Sequence, residues 1–170
     1  MTRRAFLAAV AAPLVVPATA SAEDGALNYA LLLERLQTTL YAEALKLEMG
    51  FDLAGLVRTF AEQEEEHVRR LRALGGREGD MRFSFALETR DEFLRLAPTV
   101  EDTVVGAYAG AVPAAATPAA RTLLKQIVHV EAQQAATLRR LADEVAAPLA
   151  FEELLGRPVL LDRIRPFIAT

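Results

Sequence analysis

Four long stretches of the chain place apolar residues at spacings of three and four, with polar residues between them. This spacing is typical of amphipathic helices that bury one face in a shared core. The sequence predicts a first helix over residues 24–49, a second over 52–74, a third helical region from 89 to 111 and a fourth helix over 118–145. We therefore expect an all-α fold, a bundle of four helices.

The connections between the helices indicate how the bundle is arranged. Gly50 and Asp52 leave only a short turn between the first two helices, which predicts antiparallel neighbours. Thr89 and Glu92 form a capping-box pattern at the start of the third helical region, and Pro98 is expected to kink or restart it. The fourth helix is expected to begin with a Thr117 cap and a proline in its first turn, after a loop over residues 112–116.

The stretch between the second and third helices is long and polar. Its roughly fourteen residues can span about 45 Å when extended. A 25-residue helix is only about 38 Å long. A long crossover along the bundle is therefore expected. Beyond the fourth helix, Pro148, Gly156, Pro158 and Pro166 predict a tail of short helical pieces packed against the bundle.

Polar residues interrupt the apolar stripe of two helices. On the second helix, Glu64 and His67 occupy core-facing positions, and on the fourth helix Glu131 and Gln134 do so. Burying such groups costs free energy unless they are paired. They are therefore candidates for a functional site.

These positions belong to an internal repeat. Each of four residues in the first half of the chain has a counterpart 67 positions later. The pairs are Glu34 with Glu101, Tyr41 with Tyr108, Glu64 with Glu131, and His67 with Gln134. A single Glu-x-x-His pattern is frequent by chance, but its recurrence with matching Glu and Tyr residues is much stronger evidence for a site.

Four carboxylates that meet in one core repel each other unless protons or cations join them. One Glu from each of two helices, together with Glu-x-x-His from each of the other two, is the ligand set of di-iron and di-manganese bundles. The sequence therefore predicts a metal site. A metal-free buried network that shares protons is the alternative.

At these residues the chain resembles the ferritin-like superfamily, and within it an exported branch related to desiccation proteins. The resemblance rests on the stretches 27–34, 64–67, 100–103, 107–111, 130–135 and 150–168 together with Tyr41. It implies a ferritin-like four-helix bundle with a long crossover between helices 2 and 3, and a carboxylate-bridged site rather than a storage cage.

The resemblance also implies roles for the site residues. Glu64 and Glu131 would bridge two iron or manganese ions, Glu34 and His67 would complete one position, and Glu101 with residue 134 would complete the other. Tyr41 and Tyr108 either hydrogen-bond these carboxylates or are core aromatics.

Two residues depart from the pattern of this branch. Gln134 stands where a second histidine is expected, and Gln37 stands where a glutamate is usual. An amide oxygen is a poorer ligand than imidazole for iron. We expect either an asymmetric site with one better-kept position or a degenerate site that binds nothing tightly.

The composition excludes several other classes of protein. With no Cys among its 170 residues, the chain cannot form a disulfide framework, a thiolate zinc site or an iron–sulfur cluster. A net charge of −4 and a pI of about 5.3 argue against a nucleic-acid partner.

The N-terminus has the layout of an export signal. Residues 2–7 are basic and then apolar, residues 8–16 form an apolar run, and Ala20-Ser21-Ala22 is a small-x-small cleavage motif. Arg3 and Arg4 followed by Ala-Phe-Leu resemble a twin-arginine signal. We expect residues 1–22 to be read by the twin-arginine export machinery, and residues 23–170 to form one ferritin-like domain. A frayed apolar N-terminus is the alternative.

The expected location and activity follow from these features. The apolar run is too short for a stable membrane anchor, so the protein is expected outside the cytoplasmic membrane of a prokaryote, periplasmic or extracellular. Two functions stay open. One is a metal-dependent oxidoreductase acting on O2, peroxide or ferrous iron, and the other is a non-catalytic stress or envelope protein with a degenerate metal site.

Overall fold

The computed structural model describes residues 23–149 and 153–169. The predicted export signal, residues 1–22, lies outside the described residues, so the division of the chain at residue 22 stays a prediction. Within the described part, five α-helices and no extended strands are present: α1 (Glu23–Ala44), α2 (Phe51–Ala73), α3 (Arg90–Ala111), α4 (Pro118–Leu141) and α5 (Arg157–Ile164). The predicted all-α fold is confirmed.

The first helix is shorter than its pattern predicts. α1 ends at Ala44 rather than at residue 49, because the backbone N–H groups of Lys46 and Leu47 donate three residues back, to Glu43 and Ala44, in a tight turn. This turn lets Met49 fold back into the core, where it is 6% exposed. Gly50 then adopts φ +78°, a left-handed conformation that glycine tolerates, and α2 begins at the next residue.

Capping residues fix the beginnings of α3 and α4 as predicted. The Thr89 side chain accepts a hydrogen bond from the Glu92 N–H, and the Glu92 carboxylate accepts one from the Thr89 N–H. Thr117 accepts from the Ala120 N–H at the start of α4. α3 runs as one helix through Pro98, so a restart there is wrong. α4 ends at Leu141, four residues before its predicted end.

Adjacent helix ends define the topology. Phe51 at the start of α2 lines one cavity with Arg90 at the start of α3 and Leu141 at the end of α4. At the other end of the bundle, Leu74 just after α2 and Pro118 at the start of α4 line a common cavity. Thus α2 and α3 are parallel and α4 is antiparallel to both. The connection from α2 to α3 must run the length of the bundle, which is the predicted long crossover.

The C-terminal segment covers the outside of the bundle and holds the crossover. Phe83 of the crossover forms an isolated antiparallel bridge with Ile168, and the Ser84 N–H donates to Phe167 O over 2.9 Å. The Phe85 and Phe167 rings stack with centroids 4.7 Å apart. The predicted short helical tail is therefore present as α5 and a 3₁₀ turn, packed on the bundle.

Two glycines of α3 admit this tail. A Cβ at Gly106 would lie 2.7 Å from the Glu153 carbonyl oxygen, and one at Gly110 would lie 2.7 Å from that of Leu155. The Leu155 N–H also donates to the Gly106 carbonyl over 3.0 Å. These glycines therefore permit close packing of an extended tail segment against α3.

Candidate metal centre

Four polar side chains converge near the middle of the bundle. Glu34 lies on α1, Glu64 and His67 are one turn apart on α2, and Glu131 lies on α4. Each offers one ligand atom, and these atoms all lie within 4.8 Å of one another. The three glutamates are fully buried, and His67 is 7% exposed.

The carboxylates surround a single imidazole nitrogen. His67 Nδ1 lies 3.1 Å from Glu34 Oε2, 3.2 Å from Glu64 Oε2 and 3.1 Å from Glu131 Oε1. One N–H cannot serve three acceptors well, and Glu131 Oε1 makes no hydrogen bond with any described residue. A buried carboxylate oxygen without a donor is costly.

A divalent cation fits this arrangement. Carboxylate oxygens and imidazole nitrogen are ligands for iron and manganese. An ion among these four residues would meet the unpartnered oxygen of Glu131 and offset the repulsion of the carboxylates. The residues present therefore match the chemistry of a metal site, although their role as ligands stays a prediction.

Glu101, on α3, lies on the other side of the cluster. Its carboxylate accepts a hydrogen bond from Gln37 Nε2 over 2.8 Å and another from the Tyr41 hydroxyl. The same Gln37 nitrogen also donates to Glu131 Oε2. The structure therefore brings Glu101 into the buried network, but through neutral donors and outside the tight group around His67.

Gln134 occupies the position at which the repeat would place a second histidine, and its amide nitrogen donates hydrogen bonds there. Its Nε2 donates to Glu64 Oε1 over 2.7 Å and to Gln63 Oε1 over 2.9 Å, and its Oε1 lies 3.3 Å from the Tyr41 hydroxyl. Sequence reasoning missed Gln63, which is only half-buried. The single available signal was its place next to Glu64, facing α4.

The two tyrosines make reciprocal contacts across the bundle. Tyr41 of α1 donates to Glu101 of α3, and Tyr108 of α3 donates to Glu34 of α1. Both hydroxyls are fully buried. Each contact is the counterpart of the other under the 67-residue repeat. The bundle therefore has an approximate two-fold axis through the site. The tyrosines hydrogen-bond the carboxylates and also pack in the core.

Burial makes the carboxyl groups hold protons. It raises the pKa of Glu64 to about 8 and that of Glu131 to about 7, and the neighbouring carboxylates add to both increases. Burial also raises the pKa of Glu34, with repulsion from Glu131 next in importance. The pKa of Glu101 is raised well above its usual value, first by burial and then by Glu131 and Glu64.

The histidine responds in the opposite sense to its burial. Burial lowers the pKa of His67, but contacts with Glu131, Glu34 and Glu64 outweigh that effect and raise the pKa to about 12. The imidazole therefore carries a proton at neutral pH in the metal-free protein, and this proton supplies the positive charge that the carboxylates surround. A bound cation would replace it.

A four-helix bundle with two Glu residues and two Glu-x-x-His-like pairs facing its core belongs to the class of carboxylate-rich bundles that can hold metals. The ferritin-like domain family matches residues 23–144, more than half of the chain, so the chain belongs to that family. No curated protein matches the chain significantly. Within the described residues, no helix is both long and apolar enough to cross a membrane.

Proposed function

We propose that this ferritin-like domain binds iron or manganese in its core and acts as a metal-dependent oxidoreductase on O2, peroxide or ferrous iron. The observation that carries the proposal is the convergence of three carboxylate oxygens within 3.2 Å of His67 Nδ1. Glu131 Oε1 supports it further, because its contact with His67 Nδ1 is shared with two other carboxyl groups and it accepts no well-formed hydrogen bond.

The residues divide the work of such a site. Glu34, Glu64, His67 and Glu131 would hold the ion, and an iron or manganese ion supplies one-electron redox chemistry when bound. The hydroxyl of Tyr108 orients Glu34 by donating to its Oε1. The complete burial of the carboxylates excludes bulk water and strengthens every electrostatic interaction among them.

The test of this function is to add ferrous iron to the protein anaerobically, admit oxygen and measure the consumption of O2. The full chain should consume O2 and oxidise iron faster than iron in buffer alone, and His67→Ala should reduce the rate to that of buffer. His129→Ala is the matched control, since His129 is exposed on α4. Equal rates for the wild type and His67→Ala would contradict the proposal.

A non-catalytic role, as a stress or envelope protein with a degenerate site, is the second candidate. The amide groups of Gln37 and Gln134 favour it, because they donate to Glu101, Glu131 and Glu64 without any cation. Weak or absent metal binding, without oxygen or peroxide chemistry, would support this candidate over the oxidoreductase.

We further propose that the protein is exported through the twin-arginine machinery and functions in the periplasm or outside the cell. Support comes from the paired Arg3 and Arg4, the apolar run and the Ala20-Ser21-Ala22 motif. Replacing both arginines by lysine should retain the full-length chain in the cytoplasm. Export unaffected by that change would contradict the twin-arginine route.

A further inference from the structure

The two halves of the site satisfy their carboxylates in different ways. On the first half, an imidazole nitrogen lies among Glu34, Glu64 and Glu131. On the second half, the amide nitrogen of Gln37 lies between Glu101 Oε2, at 2.8 Å, and Glu131 Oε2. An amide nitrogen has two N–H donors and no lone pair for a metal.

The orientation of the Gln37 amide follows from its neighbours. Both atoms that face its nitrogen are carboxyl oxygens, and each has a lone pair that accepts an amide N–H whether or not the group carries a proton. The amide oxygen of Gln37 accepts no hydrogen bond from any described residue. The nitrogen therefore belongs between Glu101 and Glu131.

The internal repeat shows that Gln37 is an addition to one half only. Its counterpart 67 positions later is Val104, which is fully buried and has no polar atoms in its side chain. No amide equivalent to that of Gln37 therefore lies between Glu34 and Glu64, where His67 Nδ1 lies 3.1 Å and 3.2 Å from the two carboxyl groups. A cation shared by Glu101 and Glu131 would have to lie where the Gln37 nitrogen lies.

On this half of the site, Gln134 stands in place of the imidazole ligand that a cation would need. Its nitrogen donates to Glu64 Oε1 and Gln63 Oε1, so it offers these oxygens hydrogen rather than a lone pair. Two neutral amides thus hold three of the carboxylates from the side opposite His67. These neutral donors supply hydrogen bonds to the carboxyl groups. They leave Glu34, Glu64, His67 and Glu131 available as ligands for one ion.

We propose that Gln37 determines the number of metal ions, so that the protein binds one ion per chain, at Glu34, Glu64, His67 and Glu131, and excludes a second beside Glu101. This inference rests on the proposed metal-binding function. Gln37 determines the number of ions by donating hydrogen bonds to Glu101 and Glu131. Replacing it by glutamate, together with Gln134→His, should create the second position.

Anaerobic titration of the full chain with Mn(II), read by calorimetry and by metal analysis after dialysis, tests this proposal. The wild type should bind one ion per chain and Gln37→Glu/Gln134→His should bind two. Gln126→Glu, which adds the same charge at an exposed site on α4, should still bind one.

The possible results separate the inference from the function on which it rests. Two ions in the wild type, or one in the folded double variant, would overturn the role of Gln37 and leave metal binding standing. No ion in the wild type would overturn both. Two ions in the wild type would overturn the inference even if the double variant did not fold.

Discussion

The first half of the bundle, α1 and α2, and the second half, α3 and α4, are two versions of one unit. Both carry a Glu, a Tyr seven residues later and a second Glu on the following helix. They differ at His67 against Gln134, and at Gln37 against Val104. Since the backbone of both halves is helical throughout these positions, the difference in chemistry comes from side chains alone.

The comparison shows how a symmetric scaffold can hold an asymmetric site. Around His67, three carboxylates face one positively charged nitrogen. Around Gln37, two carboxylates face one neutral amide. The first arrangement calls for a cation, whereas in the second the amide nitrogen donates hydrogen bonds to both carboxyl groups. Variants that exchange residues between the halves should therefore have unequal effects.

The largest effect is expected from His67→Gln, which gives the first half the residue of the second. Loss of a direct ligand should weaken Mn(II) binding by at least about 100-fold, more than the loss of a group that only supports a ligand. Calorimetric titration measures this change, and His129→Gln on the exposed face of α4 is its control. An unchanged affinity would mean that the two halves do not differ as described.

The metal-free protein should become less stable as the pH rises from about 5 to 8. The pKa values of Glu64 and Glu131 rise on folding from 4.5 to about 8 and about 7, so their contribution is complete below pH 4.5 and is lost as the pH rises through the folded values. His67, whose pKa rises from 6.5 to about 12, acts in the same direction from about pH 6.5 upward.

Urea unfolding in the presence of a chelator measures this dependence. We expect the free energy of unfolding to fall by on the order of 5–10 kcal/mol between pH 5 and pH 8, since each unit of pKa difference corresponds to about 1.4 kcal/mol. Excess Mn(II) should reverse the trend, because the ligands must lose their protons to bind. A chelated protein that gains stability over this range would contradict the proton-holding cluster.

Matched glycine substitutions probe how the tail covers the second half. Gly110→Ala should destabilise the protein by about 1–3 kcal/mol, since its Cβ would lie 2.7 Å from the Leu155 carbonyl oxygen. Gly55→Ala on α2 meets no atom within 4 Å and should stabilise its helix by about 0.5–1 kcal/mol. Thermal unfolding should show opposite signs, and equal shifts would argue against the tail contact.

The smallest effects should come from the tyrosines. Tyr108→Phe removes the donor to Glu34, a proposed ligand, and should weaken Mn(II) binding about 10-fold. Tyr41→Phe removes a donor to Glu101, which lies outside the proposed position, and should leave the affinity nearly unchanged. If Tyr41→Phe weakened Mn(II) binding more than Tyr108→Phe did, the ion would lie on the Glu101 side instead.

The sequence was sufficient to predict the helical bundle and the membership of its buried network. Periodicity placed Glu64 and Glu131 in the core, and the repeat connected them with Glu34 and Glu101. Local capping residues such as Thr89 and Thr117 marked where helices begin. These features depend on neighbours in sequence, so the pattern of residues contains them.

Features that depend on distant neighbours were not predictable in the same way. α1 ends early in a turn that places Met49 in the core, and the tail pairs Ile168 with Phe83 far away in sequence. The sequence marked Gln37 as a departure from a family pattern, but its contact with both Glu101 and Glu131 follows from the packing of α1 against α3 and α4.

The location of bound metal tests the asymmetry of the two halves most directly. Anomalous diffraction from crystals of the full chain grown with manganese would locate each ion without reference to activity. We predict one peak, bounded by Glu34, Glu64, His67 and Glu131. A second peak of similar height beside Glu101, or no peak in the core at saturating manganese, would contradict the account.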